Sequence, residues 1–215
     1  MLTVVTHTRF DRPEYLERCI ASVKAALPAG AEHAVIPCNE NWGKARYEAT
    51  QLSEYVCFVD DDDYIDSQAL TISLAALEST GAGMSVTNEV LMNKDGTVFH
   101  WHRTVKDYMG ITIHPRAAHH LVLMRRSAVD VRALELHNKY GIGADWFLKA
   151  SCALMHGGVQ IPIDGYFWQQ HENTMTNTEN SVFMSKIRGM GADVRTTWPR
   201  GFGELPVFEP PVSVL

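Results

Sequence analysis

The sequence has no apolar run long enough to cross a bilayer, and its first strand-like segment, Leu2-Thr3-Val4-Val5, begins without the charged and apolar regions of a secretion signal. That absence points to a cytoplasmic protein with no integral membrane segment. Cysteines are few and never paired as CxxC. Cys19, Cys38, Cys57 and Cys152 are widely spaced in mostly apolar segments, which predicts reduced thiols in the core. Positive charge is also short: 19 Lys and Arg against 25 Asp and Glu leave a net −6, so there is no general electrostatic case for nucleic acid or an anionic membrane. Glycine-rich phosphate loops are missing too. The first strand-to-helix turn, Thr6 to Asp11, contains neither GxGxxG nor GxxxxGK[ST], which excludes a dinucleotide fingerprint and a P-loop. Phosphate binding would have to rest on cations.

What the sequence does contain is a run of four carboxylates, Asp60 to Asp63, directly after the apolar segment Tyr55-Val56-Cys57-Phe58-Val59. A buried strand ending in stacked carboxylates concentrates negative charge, which is unfavourable unless a cation or donor groups sit there. Hard oxygen ligands suit Mg²⁺ or Mn²⁺, and Mg²⁺ commonly bridges one or two carboxylates to substrate phosphates. The competing reading is a solvated acidic turn, with Asp66 as N-cap of the next helix. An EF-hand is disfavoured, because counting from Asp60 the sixth position is Ile65 and the twelfth is Thr71.

Around this run the pattern alternates strand and helix. Leu2 to Thr6 reads as a strand, and Asp11-Arg12-Pro13 opens a helix with Leu16, Cys19, Ile20, Val23 and Leu27 at helical spacing, closed by Pro28 and Gly30. His33 to Cys38 is a second strand, Gly43 to Leu52 a second helix, Tyr55 to Val59 a third strand, and Asp66 to Thr80 a third helix stopped by Gly81. A βαβαβα order implies a parallel sheet with helices on both faces. Ligands in such sheets gather beyond the carboxyl ends of the strands, where Thr6-His7-Thr8, Asn39-Glu40-Asn41 and the aspartates fall. Lys44 and Arg46, at the start of the second helix, can supply cations to a phosphate there, or serve as ordinary helix charges.

The segments Val4 to Leu16, Gly43-Lys44-Ala45-Arg46, Phe58 to Asp63, Gly143 to Leu148 and Tyr166 to Thr176 together resemble the family 2 glycosyltransferases of the GT-A fold. Their counterparts in that family are a T-x-N-R-like turn, a G-x-A-x-R-like helix start, an F-[LV]-D-x-D-D motif, a G-E-D-x-x-L helix start and a closing Y-x-x-x-x-H-x-x-N-x-T-like segment. The resemblance implies an α/β, Rossmann-like αβα sandwich with a mostly parallel sheet. It implies an inverting, metal-dependent transfer from a nucleotide-diphosphate sugar, a UDP-sugar foremost, to a hydroxyl of a glycan or lipid-linked sugar. A hydroxylated base in DNA is the alternative acceptor. Donor contacts would fall to Thr8, Arg12, Asn39, Lys44, Arg46, Asp60 and Asp61. Metal contacts, to Mn²⁺ or Mg²⁺, would fall to Asp60, Asp62 and His171, with Asp63 supporting. Asp145 would be the base that takes the acceptor proton, its structural alternative being a helix N-cap. Two departures stand out: Pro37 to Trp42 replaces an acidic D-D-G-S-like turn, and Ala144 replaces a glutamate.

Met84 to Met92 and Thr97 to Arg103 flank Asn93-Lys94-Asp95-Gly96 and read as a β-hairpin added to the parallel sheet. Residues 104–118 read as a loop, His119 to Met124 as a strand, and Ser127 to Leu134 as a helix. Trp146, Tyr166 and Trp168 are candidate sugar-stacking aromatics, with Trp146 and Phe147 equally readable as core. The chain divides into a domain over 1–178 and a tail over 179–215 packed on it. In that tail Lys186, Arg188, Arg195 and Arg200 outnumber Asp193, with Trp198 and Phe202 interleaved, a pattern that suits a phosphate-bearing acceptor or a solvated surface. A nucleotidyltransferase of similar fold and a catalytically degenerate sugar-nucleotide-binding module are the other functional readings.

Overall fold

β1 (Leu2–Thr8) is buried along its whole length, as a strand covered on both faces must be. Its alternate residues sort into two cores. Val4 lies with Cys19, Val23, Cys57, Leu70 and Leu77 on one face of the sheet, and Val5 lies with Val56, Phe58, Trp146 and Phe147 on the other. In this computed structural model, residues 1–38, 41–93, 95–114, 118–171, 180–200 and 203–210 are described, with backbone alone at 99–103 and 180–184.

α1 (Pro13–Ala26) starts on a proline, which fits the first turn of a helix, and buries Leu16, Cys19, Val23 and Ala26 at helical spacing. β2 (Glu32–Pro37), α2 (Trp42–Ala49) and β3 (Tyr55–Phe58) follow, then the two-residue β4 (Tyr64–Ile65) and α3 (Ala69–Thr80). β5 (Met84–Met92) and β6 (Val98–Arg103) form the antiparallel hairpin that the sequence predicts. α4 (Tyr108–Ile113), β7 (Val122–Arg125), α5 (Arg132–Tyr140), α6 (Ala144–His156), β8 (Gly158–Gln169) and α7 (Asn180–Thr197) complete the order.

The sheet runs β2-β1-β3-β7-β5-β8-β4, with β6 added on β5. β1 is parallel to β2 and β3, and β5 is parallel to β8. β7 lies antiparallel between β3 and β5, so β5 points the same way as β3. The carboxyl ends of β1, β3, β5 and β8 therefore share one edge of the sheet with the residues that lead into β7. This is an α/β sandwich of the GT-A type.

Several boundaries move for local reasons. Residues 104–118 are not all loop: Asp107 Oδ1 accepts from the Gly110 amide at 2.6 Å and caps α4. The strand predicted from His119 begins only at Val122. The helix predicted over 127–134 is broken, because a 3₁₀ turn at Arg126–Ala128 gives way to extended Val129, and Asp130 Oδ1 then accepts from the Arg132 amide at 2.9 Å. Asp66 is not the N-cap of α3. Gln68 holds that position, and Asp66 accepts from the Gln68 amide at 2.8 Å in a turn. α7 packs into the same core as α6 through Met190, Val194 and Trp198. Gly191 allows the close approach, since a Cβ there would lie 2.7 Å from the Thr112 carbonyl oxygen.

All four cysteines are free, and burial pushes the Cys19 and Cys152 thiols up to about 12. Among the described residues, no helix is long and apolar enough to cross a membrane.

Candidate active site

The chain turns sharply after β3. The Asp63 amide donates to the Asp60 carbonyl at 3.1 Å, which sends the four aspartate side chains in different directions. Asp63 points into the protein, where the Tyr166 hydroxyl donates to Oδ2 at 2.6 Å and the Gln169 amide to Oδ1 at 2.8 Å. Its burial, followed by the charges of Asp62 and Asp60, lifts its pKa well above the usual carboxylate range. Asp63 is thus a strut that ties the turn to β8. Asp61 and Asp62 point the other way and share Arg12. Its Nη2 donates to Asp61 Oδ1 at 2.7 Å and its Nη1 to Asp62 Oδ2 at 2.5 Å. His171 Nε2 lies 2.7 Å from the same Asp62 oxygen and 2.8 Å from Arg12 Nη1.

Asp60 belongs to a second group centred on Arg46, whose side chain is 1 % exposed. Arg46 Nη2 donates to Asp60 Oδ1 at 2.7 Å, and Nε lies 3.4 Å from Asp145 Oδ1. Its guanidinium carbon sits 4.4 Å from the centroid of the Trp42 ring and 4.5 Å from that of Phe58, so the cation is packed against two aromatic rings. Burial opposes the charge on Asp60, yet His120 and Arg46 together hold its pKa well below the usual range. Burial also drives the His120 imidazole down to about 4, which makes it neutral at pH 7 and leaves Arg46 as the charge that keeps Asp60 ionised.

Asp145 stands in the first turn of α6. The N-cap is Gly143, at φ 81°, and Asp145 makes no capping hydrogen bond, so the helix-cap alternative does not describe it. Burial would raise its pKa, but Arg46 and Lys149 pull it below the ordinary value. Asp145 is therefore ionised at neutral pH and keeps 29 % of its side chain exposed, as accepting a proton requires, although the guanidinium beside it lowers its basicity.

The remaining expected residues divide. Thr8 is buried at the end of β1, where its hydroxyl accepts from the Phe10 amide at 2.9 Å. Lys44 is an exposed helix charge paired with Glu48 at 3.6 Å, rather than part of the Arg46 group. Asn39 lies outside the described residues, as do Phe202 and the end of the Tyr166-to-Thr176 segment. Trp146 is buried and donates to the Ile111 carbonyl at 2.6 Å, and Tyr166 is fully buried behind Asp63, so both are core. Trp168 stays partly exposed, edge-on to His119 at 5.8 Å.

The tail cations are largely tied down. Lys186 donates to the Tyr140 carbonyl, Arg195 to that of Thr112 and Arg200 to that of Leu154, and Trp198 is buried against Asp130. These contacts hold the side chains against neighbouring backbone, yet Arg188, Arg195 and Arg200 all remain exposed and Lys186 is half-buried.

Other members of the site went unnoticed in the sequence. His7 is 3 % exposed, and neither ring nitrogen finds a hydrogen-bond partner. Burial, then Arg46, lowers it to about 4, and its ring centroid lies 5.1 Å from that of Trp42. His119 Nδ1 lies 2.6 Å from the buried Glu89 carboxylate. Lys149 donates to the His119 carbonyl, and Arg18 donates to the Asp62 carbonyl at 3.2 Å. A histidine pair before an apolar run carries no sequence signal that separates these roles from core packing.

The residues present fit a divalent ion conditionally. Among the described residues no group of three or more His, Cys, Asp or Glu can hold a metal by itself. Asp62 and His171 nevertheless converge on one point, and two protein ligands suffice for an ion that completes its shell with phosphate oxygens and water. Around the turn Arg12 and Arg46 pair with Asp60, Asp61, Asp62 and Asp145, while Lys149 acts on Asp145 and Arg18 reaches the Asp62 carbonyl. The condition is that Arg12 gives way.

No family profile matches this sequence, and neither does any curated protein. Solved structures do match its fold. The architecture is that of a GT-A-like α/β fold. The S. aureus TarS 1-349 structure is similar over 92 % of this chain and 72 % of its own, at TM-score 0.58 and 12 % identity. The same protein in complex with UDP-GlcNAc matches over 93 % of this chain and 68 % of its own, at TM-score 0.60 and 12 % identity. Its complex with UDP matches over 93 % and 67 %, at TM-score 0.60 and 13 % identity.

Proposed function

We propose that this chain is an inverting, metal-dependent glycosyltransferase that moves a sugar from a nucleotide-diphosphate sugar to an acceptor hydroxyl. The observation that carries the reading is the convergence, at one sheet edge, of the Asp60–Arg46–Asp145 group with the Asp62–Arg12–His171 group. A UDP-sugar is the donor, because the similar structures hold UDP-GlcNAc and UDP.

On this reading the nucleotide lies over β1 and the start of α2, and its diphosphate lies at the end of β3 beside Arg12. The acceptor enters from the β7, β5 and β8 side, over Trp168 and His119, and is a glycan or a lipid-linked sugar. Asp145 takes the proton of the attacking hydroxyl while that oxygen bonds to the anomeric carbon and the bond to the phosphate oxygen breaks. Attack opposite the leaving group inverts the configuration. Asp62 and His171, with Asp60 behind them, would hold Mn²⁺ or Mg²⁺, which would supply Lewis-acid stabilisation of the departing diphosphate. Arg46 holds Asp60 and Asp145 apart and in place, so that both stay ionised.

A panel of nucleotide-sugars, with and without Mn²⁺, tests this by thermal stabilisation, since a ligand that binds only the native state raises its apparent stability. The expected result is a metal-dependent shift with UDP-sugars, followed by release of UDP, rather than pyrophosphate, with acceptor. Pyrophosphate as product would establish a nucleotidyltransferase. Binding without turnover on any glycan or lipid-linked acceptor would establish a binding module.

A further inference from the structure

Arg12 and Arg46 live in different surroundings. Arg46 is sealed against Trp42 and Phe58, whereas the Arg12 side chain keeps 24 % exposure on the open side of the acidic turn. Arg12 immediately precedes Pro13 at the start of α1, so a short tether connects it to a fixed helix. Its Nη1 and Nη2 are committed to Asp62, His171 and Asp61, and Nε lies 3.6 Å from Asp11. One ring nitrogen either donates to Asp62 or accepts from Arg12. When His171 Nε2 accepts, it uses the lone pair that a divalent ion would take. The guanidinium thus occupies the point on which Asp62 and His171 converge, and a second cation within coordination distance of the same atoms would meet strong repulsion.

We propose that Arg12 is a tethered counter-ion that fills the metal position in the ligand-free chain and leaves it when a divalent ion arrives with the diphosphate, an inference that rests on the donor reading above. A metal ion alone competes with a cation that cannot diffuse away, so it binds weakly. A metal ion and a nucleoside diphosphate bind together, because the displaced guanidinium finds phosphate oxygens, which its planar donors suit. Each ligand then strengthens the other by the same factor, as linkage demands.

The test is Mn²⁺ binding to the full chain, followed by the electron paramagnetic resonance of free Mn²⁺, with and without UDP. The variants are Arg12→Met, Arg12→Lys, and Arg12→Met combined with Asp62→Asn. Without UDP, Arg12→Met is expected to bind Mn²⁺ at least about tenfold more tightly than wild type, since a like charge a few ångström away has been removed. Arg12→Lys should fall between, because it keeps the charge but cannot bridge two carboxylates. Adding Asp62→Asn should abolish the gain. UDP should strengthen Mn²⁺ binding far more in wild type than in Arg12→Met.

An Mn²⁺ affinity in Arg12→Met equal to or weaker than wild type overturns the proposal. If circular dichroism shows that the methionine variant does not fold, the lysine variant decides by the same sign. Failure of the donor reading looks different: UDP then leaves Mn²⁺ binding unchanged in wild type, while the nucleotide-free comparison still reports whether Arg12 guards the metal position.

Discussion

Replacing Arg46 by methionine would remove the guanidinium that Asp60 and Asp145 share, while keeping much of the aliphatic stem that packs on Trp42 and Phe58. Breaking a buried ion pair by deleting one partner costs about 3 to 5 kcal/mol, because the surviving charge is left uncompensated. Here two carboxylates survive, but their side chains keep 32 % and 29 % exposure, which favours the lower end, about 3 kcal/mol. For a chain of this length that corresponds to a fall in Tm of about 6 to 12 °C.

The loss should depend on pH with a definite sign. Asp60 and Asp145 have folded pKa values below the ordinary carboxylate value, so the stability they contribute is present above that value and lost as pH falls through the folded ones. In Arg46→Met both pKa values rise, and the gap between wild type and variant should close as the pH drops below about 4. Urea denaturation at pH 7 and at pH 3 measures both quantities. Adding Asp60→Asn should restore part of the loss at pH 7, since one of the stranded charges is gone. A loss below about 1 kcal/mol, or one that does not change with pH, would refute the ion-pair argument and leave Arg46 as a packing residue.

Asp145→Asn should preserve UDP affinity while lowering turnover at least about a hundredfold, read by steady-state kinetics once an acceptor is found. Gly43→Ala should destabilise by about 1 to 3 kcal/mol in thermal melts, because a Cβ at that position overlaps the His137 ring where α2 meets α5. Arg195→Ala with Arg200→Ala should cost about 1 kcal/mol for each lost hydrogen bond and leave UDP affinity unchanged by calorimetry, because both side chains serve backbone carbonyls. Trp198→Ala should cost about 3 to 5 kcal/mol, the scale for emptying a buried aromatic site.

The elements legible in the sequence are those with a simple apolar pattern. β1 and β3 show as short apolar runs buried on both faces, α1 and α3 show helical spacing, and the hairpin of β5 and β6 is announced by Asn93 and Gly96 between two strand-like runs. α4 is six residues long with Gly110 inside it, too short to show a period, and its start depends on the Asp107 cap. The break between the 3₁₀ turn and α5 depends on Asp130, whose carboxylate also accepts from Trp198, 68 positions away.

The candidate site follows the same division. The aspartate run announced itself, because so much charge after an apolar strand demands partners. The partners are tertiary: Tyr166 and Gln169 reach Asp63 from 103 and 106 positions downstream, and His120 reaches Asp60 from the residues that lead into β7. No local pattern encodes those distances. The sequence also suggested that a metal ion would balance the carboxylates, whereas the ligand-free chain brings its own cations, Arg12 and Arg46.

Calorimetric titration of UDP into the full chain in the presence of Mn²⁺, for wild type and Asp62→Asn, tests the central claim most directly. The account predicts one site per chain in wild type, lost on chelation of the metal and lost in Asp62→Asn, whose melting transition stays cooperative. UDP binding that is absent from the wild type, or equally strong in Asp62→Asn, would contradict it.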